Sequence, residues 1–243
     1  MNSKLAPVNN IRTVSDTKRA FCKAYVRPIN SVYRRVVEEL TVELHLLLVN
    51  TDFRYDPIFA LGMVTAFEQF MQGYRPESER EPIFNALTQS LELDPNQLRQ
   101  DASRLLELAD RRSAETLTLL TRLESTEAEL SELQNLLQSV AGNPKFRYSR
   151  LFAIGLFALL QQGDSQAMAD DGQRKSMINQ VSGALKLPDD KLTKDLDLYR
   201  TNLEKVAQAR QVMDDILKAD RKKREQRATT TSSEEEAPSE TPS

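Results

Sequence analysis

The chain has no tryptophan, one cysteine, one histidine and seven glycines in 243 residues. Each scarcity removes a class of function. A single thiol, Cys22, cannot close an internal disulfide, which fits a reducing or an indifferent compartment. Cys22 and His45 are too few for a zinc site of the usual kind and fall in different expected helices. No glycine-rich phosphate cradle, nucleophile elbow or serine–histidine–acid set occurs. The 36 carboxylates come without the other parts of a catalytic site, so no catalytic residue, cofactor or metal is assigned. The longest apolar run, 151–160, is half of the roughly 20 residues that cross a bilayer, so any membrane association is expected to be peripheral. The polar N-terminus lacks the apolar stretch of a secretory signal, and its first dozen residues are short for a transit peptide.

Thirty-three Lys and Arg stand against 36 Asp and Glu, a net charge of −3 that argues against a nucleic-acid partner. The sign is uneven. Residues 1–37 hold eight Lys or Arg and one Asp, and the stretch 218–227 holds six against Asp220 and Glu225. From the first stretch, Arg19, Lys23, Arg34 and Arg35 are candidate contacts for a protein partner or an anionic lipid surface; the alternative is a solvated face paired with acidic residues elsewhere in the fold. From the second, Arg221, Lys222, Lys223 and Arg224 are candidates for the same role, or complement the helix dipole.

What the chain does have is a repeat. Residues 53–62 (FRYDPIFALG) align with 146–155 (FRYSRLFAIG) with six identities in ten positions. After a one-residue insertion, Leu91-Glu92-Leu93 meets Leu185-Lys186-Leu187, Leu98 meets Leu192, and Asp101 meets Asp195. A duplicated helical unit without a catalytic set points to a structural or adaptor role. Gly62 and Gly155 sit at equivalent points inside expected helices, where glycine is disfavoured by about 1 kcal/mol relative to alanine. A close helix contact accounts for them.

The spacing predicts helices over 15–26, 29–49, 57–73 and 76–91, with Asp56-Pro57 as N-cap and first-turn proline. From Asp94-Pro95 a four-three seam runs through Leu98, Leu105, Leu119, Leu133 and Val140, diluted by Arg112, Thr116 and Thr126. That predicts one long helix to Gly142. A second copy follows, with a helix near 149–162, a loop over 163–172 and a helix to Lys186. From Pro188 a last helix carries the matching seam Leu192, Leu196, Tyr199, Leu203, Val206, Arg210, Met213 and Leu217. Either seam could pair within the chain or with a partner. Cys22 and His45 are expected to be packing residues. The expected architecture is all-α: a helical bundle from two related halves with a long, partly coiled-coil C-terminal helix. Its expected parts are an N-terminal extension (1–14), a helical domain (15–217), a basic helix end (218–227) and a disordered acidic Ser/Thr/Pro tail (228–243).

Several blocks resemble one known family. Residues 10–21 (NIRTVSDTKRAF), 27–40 (RPINSVYRRVVEEL), 67–74 (FEQFMQGY) and 83–87 (IFNAL) are similar to the thylakoid formation, or photosystem II biogenesis, family. The resemblance implies an all-helical, peripheral protein, here of cyanobacterial type, on the cytoplasmic side of the thylakoid membrane with a soluble pool. It implies a role in photosynthetic membrane biogenesis and photosystem II repair through the FtsH protease complex. No catalytic residues are carried over. The rival reading is a scaffold on the anionic thylakoid lipid surface without a protease partner.

Overall fold

The computed structural model describes residues 12–234, with side chains described to Lys223 except that of Asp220. The rest of the expected N-terminal extension (1–11) and of the expected tail (235–243) lies outside the described residues. Eleven α-helices and no strand occur among the described residues. They are α1 (Val14–Ala24), α2 (Ser31–Leu48), α3 (Pro57–Phe70), α4 (Arg80–Gln89), α5 (Pro95–Arg111), α6 (Ser113–Arg122), α7 (Ser131–Gly142), α8 (Arg150–Gly163), α9 (Ser165–Ala169), α10 (Asp171–Leu185) and α11 (Asp189–Glu234).

Helix α3 and helix α8 form the centre. Asp56 caps the first by accepting from the Phe59 N–H at 2.8 Å, and Ser149 caps the second by accepting from the Phe152 N–H at 3.0 Å. The two helices cross so closely that a Cβ built on Gly62 would lie 1.7 Å from the Leu151 carbonyl oxygen. One built on Gly155 would lie 2.0 Å from that of Ile58. Only glycine permits this approach. On one side of the crossing, α2, α3, α4 and the first turns of α11 bury Tyr33, Leu44, Phe67, Phe84 and Leu196. On the other, α5 to α8 and α10 bury Leu105, Leu119, Leu133, Leu159 and Val181.

The long helix expected over 95–142 is not continuous. Arg112 leaves the helical region at φ −131°, ψ 51°, and α6 ends at Leu123 in the left-handed region at φ 58°. A loop and a short 3₁₀ turn (Ala128–Leu130) then lead into α7. Arg112 pairs with Glu127 and Glu129 across the fold-back, and Gln134 and Gln138 both donate to the Leu123 carbonyl. The reason is apolar cover. Folding back buries Leu119, Leu120, Leu130, Leu133, Leu137 and Val140 inside one core, where a straight helix would need another chain to cover them.

Smaller differences follow the same logic. Cys22 is exposed rather than buried, because α1 docks through Thr17, Phe21 and Tyr25, one turn apart, and turns Cys22 outward. His45 does pack inside, with Nδ1 2.9 Å from the Thr17 hydroxyl. The stretch expected as a loop after Gly163 contains the short α9, capped by Asp164. The final helix continues past Arg227 to Glu234, into the stretch expected to be disordered; extending an existing helix needs no new nucleus.

Candidate binding surfaces

The candidate contacts near the N-terminus lie on α1 and α2. All four are exposed, but three have acidic neighbours on their own helix. Arg19 reaches Asp16 at 3.2 Å, Arg34 reaches Glu38 at 3.6 Å, and Arg35 reaches Glu39 at 3.0 Å. Arg34 and Arg35 share a shallow depression with Lys18, Glu38, Glu39 and Arg150. The local excess of positive charge in the sequence therefore becomes a mixed surface. Lys23 is exposed on α1. Arg27 is bound to the buried carboxylate of Glu79, which also accepts from the Tyr25 hydroxyl at 2.9 Å.

The second group lies beyond the start of α2, where the Asn30 amide donates to the Met213 sulfur at 2.9 Å. Met213 is the last seam residue of α11 that packs on the core. Lys222, nine residues on, lies about 13 Å further along the axis at the rise of an α-helix. Between them Ile216 and Leu217 are 56% and 60% exposed, and Val212, just before Met213, is 59% exposed. Arg221, Lys222 and Lys223 are exposed as well; the side chain of Arg224 lies outside the described residues. An apolar patch thus runs directly into a basic segment on a helix that has left the bundle.

A third feature takes in Arg35 and otherwise lies outside those candidates. Helices α2 and α11 run side by side over the α3–α8 crossing and leave a slot of about 560 Å³. Its floor is apolar: Val36, Leu40, Leu151 and Ile154 line it, and none is more than 7% exposed. Its rim is charged. Arg35 pairs with Glu39, and the Arg150 Nε donates to Glu43 at 3.1 Å. Asn202 and Lys205 complete the rim from α11. Sequence reading passed over these two because they lie beside the seam. A second four-three row, Leu198, Asn202, Lys205, Ala209, Val212 and Ile216, was the signal that marks that face.

The shifted ionisations are structural in cause. Burial, then the Asp101 carboxylate that accepts from its hydroxyl at 2.7 Å, pushes Tyr55 up. Burial and Asp195, at 2.9 Å, do the same to Tyr148, its counterpart in the repeat. Each tyrosine therefore holds a carboxylate of the chain, while Arg54 donates to the carbonyls of Thr51 and Phe53. Burial alone pushes the Asp56 carboxyl up to about 6, against the helix N–H groups that favour its charge. No group of three or more potential metal ligands occurs among the described residues. Among them, too, no helix is long and apolar enough to cross a membrane.

These features define a class, an all-helical protein built around a tight central crossing with a long C-terminal helix. Residues 13–228 match the family described as thylakoid formation protein, and the chain belongs to that family. It is 52% identical over 218 residues to the protein Thf1 of Acaryochloris marina, covering 89% of this chain and 87% of that one. The Thf1 protein of Nostoc punctiforme is also 52% identical, over 89% of this chain and 92% of its own. The solved structure of Psb29 superposes with a TM-score of 0.75 at 44% identity, covering 88% of this chain and 98% of that one.

Proposed function

We propose that this chain is a non-catalytic accessory factor in thylakoid biogenesis and photosystem II assembly and repair. It acts on the cytoplasmic side of the thylakoid membrane by binding the FtsH protease complex. Membership of the thylakoid formation family supports the first part. One observation supports the second: α11 presents Val212, Ile216 and Leu217 on its surface and then turns basic. An amphipathic helix end of this kind suits a helix-mediated or coiled-coil contact. Affinity purification of the tagged protein from mildly solubilised photosynthetic membranes tests this. Near-stoichiometric FtsH subunits are expected; their absence from a preparation that still holds the tagged protein overturns it. Reversing Arg221, Lys222, Lys223 and Arg224 to Glu is expected to weaken recovery about tenfold. Unchanged recovery removes this helix end from the contact.

The same helix end favours one second reading, a scaffold on the anionic thylakoid lipid surface without a protease partner. Exposed apolar residues beside Lys and Arg suit such a surface, where each cation contributes about 1 kcal/mol. That reading expects the purified protein to float with anionic vesicles and to be released by salt.

The bundle itself is read as two related halves around a pseudo-two-fold axis at the glycine crossing. Reciprocal contacts support this: Gly62 meets Leu151 while Gly155 meets Ile58, and these are exchanged positions of the repeat. So do the Tyr55–Asp101 and Tyr148–Asp195 pairs, and the left-handed residues Glu92 and Lys186, each followed by an N–H that donates five residues back, Leu93 to the Thr88 carbonyl and Leu187 to that of Ser182.

A further inference from the structure

We infer that the slot between α2 and α11 binds the single acyl chain of a free fatty acid, with its carboxylate held at the mouth by Lys205 and Asn202. Three observations lead there, and none depends on the protease reading. The first is volume and lining. About 560 Å³ over an apolar floor lies within the range of small-molecule sites, roughly 300–1,000 Å³. The second is the arrangement of the lining. Two helices, α2 and α11, form the walls and Val36, Leu40, Leu151 and Ile154 lie beneath them, so the space is an apolar trough running between the two helices.

The third is charge. Arg35 and Glu39 neutralise one another on the rim, as do Arg150 and Glu43. Among the described residues, Lys205 makes no ion pair and the Asn202 amide has no hydrogen-bond partner. They sit three residues apart on α11, so their side chains share one face. An ammonium and an amide N–H, side by side above an apolar slot, are the complement of one carboxylate on one long chain. A cationic amphiphile meets repulsion at the same place, and a short acid leaves the floor uncovered.

Calorimetric titration of the full chain with laurate, kept below its micelle-forming concentration, tests this. Saturable one-to-one binding is expected. Hexanoate, with the same head and half the chain, should bind at least about a hundredfold more weakly. Dodecyltrimethylammonium, with the same chain and the opposite charge, should bind about tenfold more weakly. Lys205→Glu should weaken laurate about tenfold and remove the preference over the cation. Ala209→Trp, at the half-exposed mouth, should fill the slot and abolish binding. Both positions lie at the rim of the slot, Lys205 exposed and Ala209 partly so, and an unchanged Tm shows that each variant is folded. Failure of laurate to saturate the wild-type chain overturns the inference and leaves the slot to a partner's side chain. Equal binding in both variants also overturns it, since that is surfactant adsorption.

Discussion

Helices α5 and α11 start from equivalent points of the repeat and carry the same seam, yet one is 17 residues long and the other 46. The divergence begins at one position. Arg112 in the first copy corresponds to Val206 in the second. Val206 packs on the core and the helix continues. Arg112 is drawn to Glu127 and Glu129, the chain turns, and α6 and α7 bring their leucines back onto α8 and α10. A heptad seam is thus a demand for apolar cover, and its spacing says nothing of who supplies it. In the first copy the chain covers itself. In the second the bundle covers the seam as far as Met213, and Leu217 is left in solvent. The part of the repeat that does not close on itself is the part available to something else.

The most severe way to break the equivalence is at the crossing. Gly62→Ala and Gly155→Ala each place a methyl against a backbone carbonyl that no rotamer change can move. Each is expected to destabilise the chain by about 3 kcal/mol or more, or to prevent folding. Urea denaturation of the two variants measures this. If both lose less than about 1 kcal/mol, the helices have room between them and the close crossing is not what holds α3 against α8.

A pH-dependent difference between the two central caps is next in size. Ser149 does not titrate, whereas Asp56 is raised from 3.8 to about 6 in the folded chain. A raised carboxyl favours folding when protonated. Its contribution is complete below about pH 3.8 and is lost as the pH rises through about 6. The shift corresponds to an upper bound of about 3 kcal/mol. Asp56→Asn keeps an acceptor for the Phe59 N–H and removes the titration. Its stability relative to the parent should therefore rise by up to that amount between pH 4 and pH 7. A difference that stays constant across this range would mean that Asp56 is solvated and ionised throughout.

Much of this was legible in the sequence, for local reasons. The cap at Asp56, the proline at position 57 and the two central glycines are short-range signals, and the helices expected there are present. The pairing of Arg34 and Arg35 with Glu38 and Glu39 also follows from spacing alone. The fold-back at Arg112 was not legible, because neither proline nor glycine marks it and its stabilising partners lie 15 and 17 residues later. The left-handed residues Glu92, Leu123 and Lys186 are hidden for a similar reason, since no glycine occupies them. The slot was the least legible feature. Its floor comes from α2, α3, α8 and α11, and only the tertiary arrangement places Lys205 above Leu40 and Ile154.

The smallest effect sharpens the comparison from the other direction. Gly183 in α10 corresponds to Gln89 in α4, and a Cβ built on it meets nothing within 4 Å. Unlike Gly62, this glycine answers no packing need, and it lies in the last turn of α10, where it only enlarges the entropy lost on folding. Gly183→Ala is therefore expected to stabilise the chain by about 0.5–1 kcal/mol, read as a higher urea midpoint at unchanged slope. Gly183→Gln, which restores the residue of the first copy, should gain somewhat less, since glutamine gives up side-chain freedom that alanine does not have. A loss of stability in both variants would show that α10 is more tightly enclosed than its counterpart α4, and that the two copies differ at their edges as well as in their long helices.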